Sequence, residues 1–226
     1  MVDNVSFRFF GSAQDHKRVG EGDKGPNTGG MGAFSPANSL TNELEKKIIN
    51  KIIEPTLNAL KKMGHPYKGF LYTGLMIKNN EPFLIEYNIR MGDPECQVLM
   101  MRLKTNLDDV INAAINNTLK NLEIHWTKDN CMTVVLCSKG YPGMYKKNIE
   151  IKNLENLNLD PKDQIFHAGT VEKNGRVFSN GGRVLNVTSV DKTLINSRKK
   201  CLDILKKINW DNGFFRKDIG WRVIDK

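Results

Sequence analysis

Two apolar runs, 69–77 and 82–88, lie on either side of Lys78-Asn79-Asn80-Glu81, and no other feature constrains the chain more tightly. Strand-forming runs this close together are expected as an antiparallel hairpin. Upstream the periodicity changes. Leu44, Ile48, Ile49, Ile52 and Ile53 form an apolar stripe at helical spacing after Thr41, and Leu57 and Leu60 continue it past Pro55, which is expected to interrupt or kink the helix. Helix and sheet are therefore both required, and the fold class expected is α+β.

The remaining chain divides by texture. Val5, Phe7, Phe9 and Phe10 come at near-alternating spacing, as in a strand belonging to something larger. Residues 11–41 are rich in Gly, Asp, Asn, Ser and Pro and are expected as one long loop, either functional or disordered. Asp93-Pro94-Glu95 combines an N-cap residue, a proline at the first helical position and an acid in the first turn, predicting a helix through about Leu103. Leu107, Val110, Ile111, Ala114 and Ile115 predict another over 107–119. Beyond Trp126, strands are expected at 131–138, 164–171, 176–179 and 183–190, then a helix near 191–208. This gives two domains, 1–125 and 126–226, the second a small α+β unit.

Composition narrows the function classes. With 226 residues and 39% hydrophobic content, the chain can bury one large core or two modest ones, which excludes a disordered chain. No apolar run approaches the roughly 20 residues that span a bilayer, and no signal-like segment opens the chain, so a cytoplasmic protein without membrane partners is expected. Cys96, Cys131, Cys137 and Cys201 match no zinc spacing and are expected as reduced thiols. The net charge of +9 comes from scattered lysines without interleaved aromatics, the pattern of a solvated basic surface rather than a nucleic-acid site.

Chemistry concentrates in Ile85-Glu86-Tyr87-Asn88-Ile89-Arg90. Alternation along an extended segment puts Glu86, Asn88 and Arg90 on one face and Ile85, Tyr87 and Ile89 on the other. Glu86 and Asn88 offer two hard oxygens suited to Mg²⁺, and Arg90 offers a planar fork for phosphate or carboxylate. The plain alternative is the solvent face of an edge strand. Asp93 begins the next helix, where backbone N–H groups attract anions, and either caps that helix or meets a substrate. Gly25–Ala33 is glycine-dense without the spacing of a P-loop or a dinucleotide fingerprint; a turn and a ligand-hugging loop are both open readings. Gln14-Asp15-His16-Lys17-Arg18 is either a site or a solvated charge cluster.

Taken in order, Ser12–Arg18, Gly25–Pro36, Gly69–Ile77 and Glu86–Glu95 resemble the phosphoribosylamine–glycine ligase family of the ATP-grasp superfamily. So do Gly140-Tyr141-Pro142-Gly143, Phe166–Thr170, Asn180–Leu185 and Arg216–Arg222, which are similar to that family's C-terminal domain. Met91 and Cys96 depart from the usual pattern by tolerable side-chain swaps. The resemblance implies the C-terminal part of an ATP-grasp domain followed by a small α+β domain. It also implies ATP and Mg²⁺ (or Mn²⁺) as cofactors, and glycine and 5-phosphoribosylamine as substrates joined through glycyl phosphate. Glu86 and Asn88 would then ligate the metal and Arg90 would hold the transferring phosphate. Lys17, Arg18, Gly29, Gly30, Gly32 and Asp93 would lie near phosphates or the phosphoribosyl group. Family members carry a further N-terminal half, so a missing partner half and little activity of this chain alone are expected. The rival expectation is a non-catalytic remnant that serves as a scaffold or binds nucleic acid.

Overall fold

Tyr72–Lys78 and Glu81–Asn88 pair antiparallel as expected, and Asn79 and Asn80 make the reversal with φ of 52° and 58°. Asparagine is among the few residues that adopt this left-handed conformation readily, which is why two of them suffice for the turn. A computed structural model describes residues 1–224. The described chain forms two compact units that are discontinuous in sequence. Met1–Ser12, Ala37–Gly92 and Leu103–Trp126 make the first; Ala13–Pro36, Asp93–Arg102 and the chain from Thr127 onward make the second.

In the first unit the helix after Thr41 is present as Asn42–Ile48, with the Thr41 side chain accepting from Leu44 N at 3.1 Å. Pro55 does not end it. The helix widens into a π-helical turn over Ile49–Ile53 and continues as Glu54–Lys62. Proline removes one backbone donor and crowds the preceding turn, and the wider turn accommodates it. The hairpin leans on this helix. Tyr87 Oη lies 2.5 Å from Thr56 Oγ1, and Glu81 pairs with Lys47 and Lys51 at 2.9 and 2.7 Å. The opening segment contributes only Val2–Asp3, paired with Lys68–Gly69. Asp3 is fully buried and accepts from the N–H groups of Ser6, Val5 and Leu119. Burial pushes its carboxyl up, but these donors outweigh that and hold it below the usual range. The expected helix over 107–119 is shorter, Leu107–Ile115, and a 3₁₀ turn follows at Leu119–Asn121.

The second unit is built on an antiparallel sheet. Its order is Asp163–His167, Arg183–Asp191, Asn130–Ser138, Gly32–Ser35, Gln14–Asp15, and Gly213–Phe214 also pairs with Asn130–Ser138. Asn130–Ser138 is the central strand, buried along nearly its whole length. Leu194–Leu205, capped by Thr193, packs on it and on Arg183–Asp191, and the core gathers Met31, Phe34, Val134, Leu136, Leu185, Cys201 and Ile204. Glu95–Arg102 packs on the Gly32–Ser35 side of the sheet. Arg102 is buried, with donors directed at Ser35 Oγ and the carbonyls of Asp129 and Thr127. The single long loop expected over 11–41 is corrected: it contains a small hairpin, Arg18–Gly20 with Lys24–Asn27, and two strands of the main sheet. All four cysteines are free, and burial pushes the thiols of Cys131, Cys137 and Cys201 up. Among the described residues, no helix is long and apolar enough to cross a membrane.

Candidate functional site

The expected site residues fall on both units. In the first, Glu86 and Asn88 share one face of the hairpin, with Asn88 Nδ2 donating to Glu86 Oε1 at 3.2 Å, while Tyr87 between them points to the helix. Gly74 stands opposite Glu86, and a Cβ there would come within 3.0 Å of Glu86 Cγ. The glycine thus lets the carboxylate lie across its neighbouring strand. With Asn88 donating through its nitrogen, Asn88 Oδ1 and the second Glu86 oxygen remain as hard donors on the same face. Among the described residues, no group of three or more His, Cys, Asp or Glu forms a protein cage for a metal. Two oxygens fit an ion such as Mg²⁺, which takes most of its ligands from phosphate and water.

One expectation about this strand is corrected. It ends at Asn88, so Arg90 lies in a bend and donates from Nη1 to Met91 O at 2.9 Å instead of continuing the alternation. Ile85 and Ile89 are 62% and 79% exposed. Leu75 pairs with Leu84 and Gly74 with Glu86, so Ile85 is the extra residue of a bulge, which resets the alternation locally.

In the second unit, Asp15, Lys17, the glycines and Asp93 form one hydrogen-bonded cluster. Lys17 Nζ is 2.6 Å from Asp15 Oδ2. Thr28 N and Thr28 Oγ1 both donate to Lys17 O, and Thr28 Oγ1 in turn accepts from Gly30 N. Arg18 turns its guanidinium to Gly25 O at 2.7 Å. The glycines are close-packed against protein. A Cβ on Gly29 would meet the Arg183 guanidinium at 2.8 Å, one on Gly30 would meet Pro94 Cδ at 2.5 Å and Asp15 Oδ1 at 2.7 Å, and one on Gly32 would meet Thr133 O at 2.6 Å. At Gly30 and Gly32 a side chain would run into a proline ring or backbone, and Gly30 has a φ of 122° besides, whereas at Gly29 the obstacle is the movable end of Arg183. Asp93 directs Oδ1 to Gln97 Nε2 and Oδ2 to Arg183 Nη2, both at 2.9 Å, so the side chains of Gln97 and Arg183 occupy its carboxylate.

Two titratable groups in this cluster are displaced from their ordinary range. Burial, with the neighbouring Glu95 carboxylate, pushes Asp15 up to about 6 against the pull of Lys17. Burial and then the Arg216 charge push His16 down to about 4. His16 Nε2 accepts from Gly220 N at 3.0 Å, so the neutral ring carries its proton on Nδ1. The C-terminal segment holds the same loop from behind. Arg216 donates to Arg18 O and Asp23, Asp218 accepts from Gly22 N, and Arg222 reaches Asp23. Sequence reasoning assigned no role to Asp15, Tyr141, Arg183 or Arg216, although each lies in a string quoted for the resemblance. For Tyr141, Arg183 and Arg216 the contacts with this loop span 112 to 198 residues of sequence, which no local window contains.

Comparison with known proteins is consistent over almost the whole chain. Phosphoribosylglycinamide synthetase, ATP-grasp (A) domain, matches residues 1–96, and phosphoribosylglycinamide synthetase, C domain, matches residues 131–222. A phosphoribosylamine–glycine ligase of Brucella melitensis is 47% identical over 96% of this chain and 51% of its own length. The chloroplastic phosphoribosylamine–glycine ligase of Arabidopsis thaliana is 51% identical over 99% of this chain and 43% of its own length. The crystal structure of phosphoribosylamine–glycine ligase from Thermotoga maritima superposes with a TM-score of 0.80 at 34% identity, covering 92% of this chain and 50% of that one. The chain spans about half the length of the curated relatives it matches. Both of its ends match the same family in the same order, and the chain belongs to the phosphoribosylamine–glycine ligase family.

Proposed function

We propose that this chain supplies the metal-binding and acyl-phosphate-handling part of an ATP-dependent ligase that joins glycine to 5-phosphoribosylamine. The glycine carboxylate attacks the γ-phosphorus of ATP, forming glycyl phosphate and releasing ADP. The amine of 5-phosphoribosylamine then attacks the acyl carbon, phosphate leaves with the bond electrons, and the nitrogen gives up one proton to solvent or to the departing phosphate, leaving the amide of glycinamide ribonucleotide. A carboxylate is a poor acyl donor until it is phosphorylated, so the site must hold two anions together and offset their repulsion. Glu86 and Asn88 would hold Mg²⁺ or Mn²⁺, which supplies that charge neutralisation when bound. Arg90 would hold the phosphate once released from Met91 O. Lys17, Arg18, Gly29, Gly30, Gly32 and Asp93 are assigned to the phosphates or the phosphoribosyl group, and the domain division at 125/126 is kept as part of this reading.

The observation that carries the proposal is the Glu86–Asn88 pair, two hard-oxygen side chains meeting at 3.2 Å on one strand face. The partner proposed is a polypeptide with the other half of the relatives' length. Among the described residues, neither edge of the Tyr72–Asn88 hairpin has a strand partner, and Met76, Phe83, Leu84 and Ile85 on it and Ile89 beyond it are exposed. The test mixes the chain with that half of the Brucella relative and follows ADP release that depends on both glycine and 5-phosphoribosylamine. The chain alone should give little turnover, and the mixture should turn over. Glu86→Gln should lower kcat about 100-fold or more, as expected for loss of a ligand in metal-assisted phosphoryl transfer. Ile85→Glu should weaken assembly without touching the metal pair. Full turnover by the chain alone, or a self-dimer abolished by Ile85→Glu, would replace the proposed partner.

A further inference from the structure

The glycine-rich strings of the C-terminal part, Gly140–Gly143, Gly169 and Gly181-Gly182-Arg183, have no role in the function proposed above. In the structure they converge on one peptide of the Gly29–Gly32 loop. Arg183 Nη1 donates to Gly29 O at 2.9 Å and to Asp93 O at 2.7 Å, and Arg183 Nη2 donates to Asp93 Oδ2 at 2.9 Å. Tyr141 Oη accepts from Gly29 N at 3.0 Å. Both polar groups of Gly29 are thus engaged from the C-terminal part, and the same guanidinium engages Asp93, in the turn two residues before the Glu95–Arg102 helix.

The neighbouring glycines explain how these two side chains are seated. A Cβ on Gly182 would collide with the edge of the Tyr141 ring, and one on Gly169 would meet Arg183 O and Gly181 Cα, both at 2.6 Å, far inside contact distance. Asn180 N donates to Gly169 O and Gly169 N to Arg183 O, tying those turns together. Against Gly29 the guanidinium lies where a side chain would otherwise begin. A planar fork fits this place and serves three acceptors at once; an ammonium on a flexible stem does not. The ion pair with Asp93 is partly exposed and by itself worth little, so the geometry of the carbonyl contacts matters more than the charge.

We propose that Arg183 and Tyr141 are positioning residues that fix the Gly29 peptide against Asp93, and that this is what the C-terminal glycine motifs are for. For the catalytic consequence the inference rests on the ligase reading; for the loop itself it does not.

The first measurement is amide hydrogen exchange on the full chain. Loss of hydrogen bonds from a charged donor raises local opening, so Arg183→Ala should speed exchange over 28–31 and 93–97 by about tenfold or more. The central strand Asn130–Ser138 should be unchanged. Arg183→Lys should not restore protection, and Tyr141→Phe, which keeps the ring and loses only the acceptor, should affect Gly29 alone. Exchange within about twofold of wild type over 28–31, or an equal rise across the central strand, would overturn the proposal. The second measurement is turnover of the chain assembled with the complementary half. Both Arg183 variants should lower kcat about tenfold with the KM for ATP within about twofold, a split that general destabilisation does not produce. An assembled wild type without turnover would remove the ligase reading and leave the exchange result to decide the positioning role. Turnover in which Arg183→Lys equals wild type would overturn it.

Discussion

The two compact units use similar elements and reach opposite outcomes in burial. In the second, a central strand flanked by others and covered by Leu194–Leu205 carries a continuous apolar core. Met144 and Ile195 are the exposed large apolar side chains there among the described residues. In the first, the hairpin has a helix on one side and, among the described residues, no further strand paired to it. Met76, Phe83, Leu84, Ile85 and Ile89 stay in contact with water, joined by Val5, Phe9, Met63, Ile111 and Ile115. A two-stranded sheet is marginal by itself, and exposed apolar surface of this extent marks an interaction surface. The difference teaches that the first unit leaves its apolar hairpin open to water, whereas the second completes its own core.

The sharpest way to break that comparison is to truncate one apolar side chain in each unit. Leu185 is fully buried in the sheet, and Leu185→Ala should destabilise the second unit by about 3–5 kcal/mol through lost transfer energy and a residual cavity. Ile85 is mostly exposed, and Ile85→Ala should change stability by about 0.5 kcal/mol or less. Urea unfolding followed by tryptophan fluorescence and circular dichroism reads both. A large loss from Ile85→Ala would mean that its surface is already covered in the isolated chain.

Good burial in the second unit has a local exception that pH should expose. His16 is neutral in the fold, depressed from about 6.5 to about 4, so its contribution to stability is present above pH 6.5 and is lost as pH falls through 4. Asp15 has the reverse sign: raised from 3.8 to about 6, its contribution is present below pH 3.8 and is lost as pH rises through 6. Adjacent residues therefore oppose each other between about pH 6 and 4. Asp15→Asn removes one side of that balance. The variant should be more stable than wild type at pH 7 by about 1–3 kcal/mol, discounted for the loss of the Lys17 pair, and the gain should vanish near pH 4. Urea midpoints at pH 7, 5.5 and 4.5 test it, and a gain independent of pH would show that Asp15 is not the strained group.

How much of this was legible in the sequence followed from whether local periodicity carried it. The hairpin, the helix after Thr41 and the Leu194–Leu205 helix were readable because each repeats over two turns or more, or alternates between clear bounds. Gly32–Ser35 was not, because four residues buried on both faces show neither period and a glycine-rich context suggests a loop. The Glu86–Asn88 face was readable by alternation, whereas the bulge at Ile85 and the strand end before Arg90 depend on pairing with Tyr72–Lys78. The joining of 13–36 and 93–102 to the chain after Thr127, and the seat that Tyr141 and Arg183 make for Gly29, rest on long-range contacts that no local window contains.

A smaller effect sharpens the comparison between the units because the same chemistry occurs once in each. Thr41 accepts from Leu44 N at 3.1 Å, and Thr193 accepts from Asn196 N at 3.3 Å. Replacing an N-cap threonine by alanine costs about 1 kcal/mol of the structure to which the helix is coupled. Thr193→Ala should therefore lower the main unfolding transition by about that amount, since its helix packs directly on the two central strands of the sheet. Thr41→Ala should leave that transition within about 0.3 kcal/mol and instead speed amide exchange over 42–62, because its helix belongs to the other compact unit and can open locally. Equal shifts of one transition by both variants would mean that the hairpin unit and the sheet unit unfold as a single cooperative body, and the contrast in burial would then have no counterpart in stability.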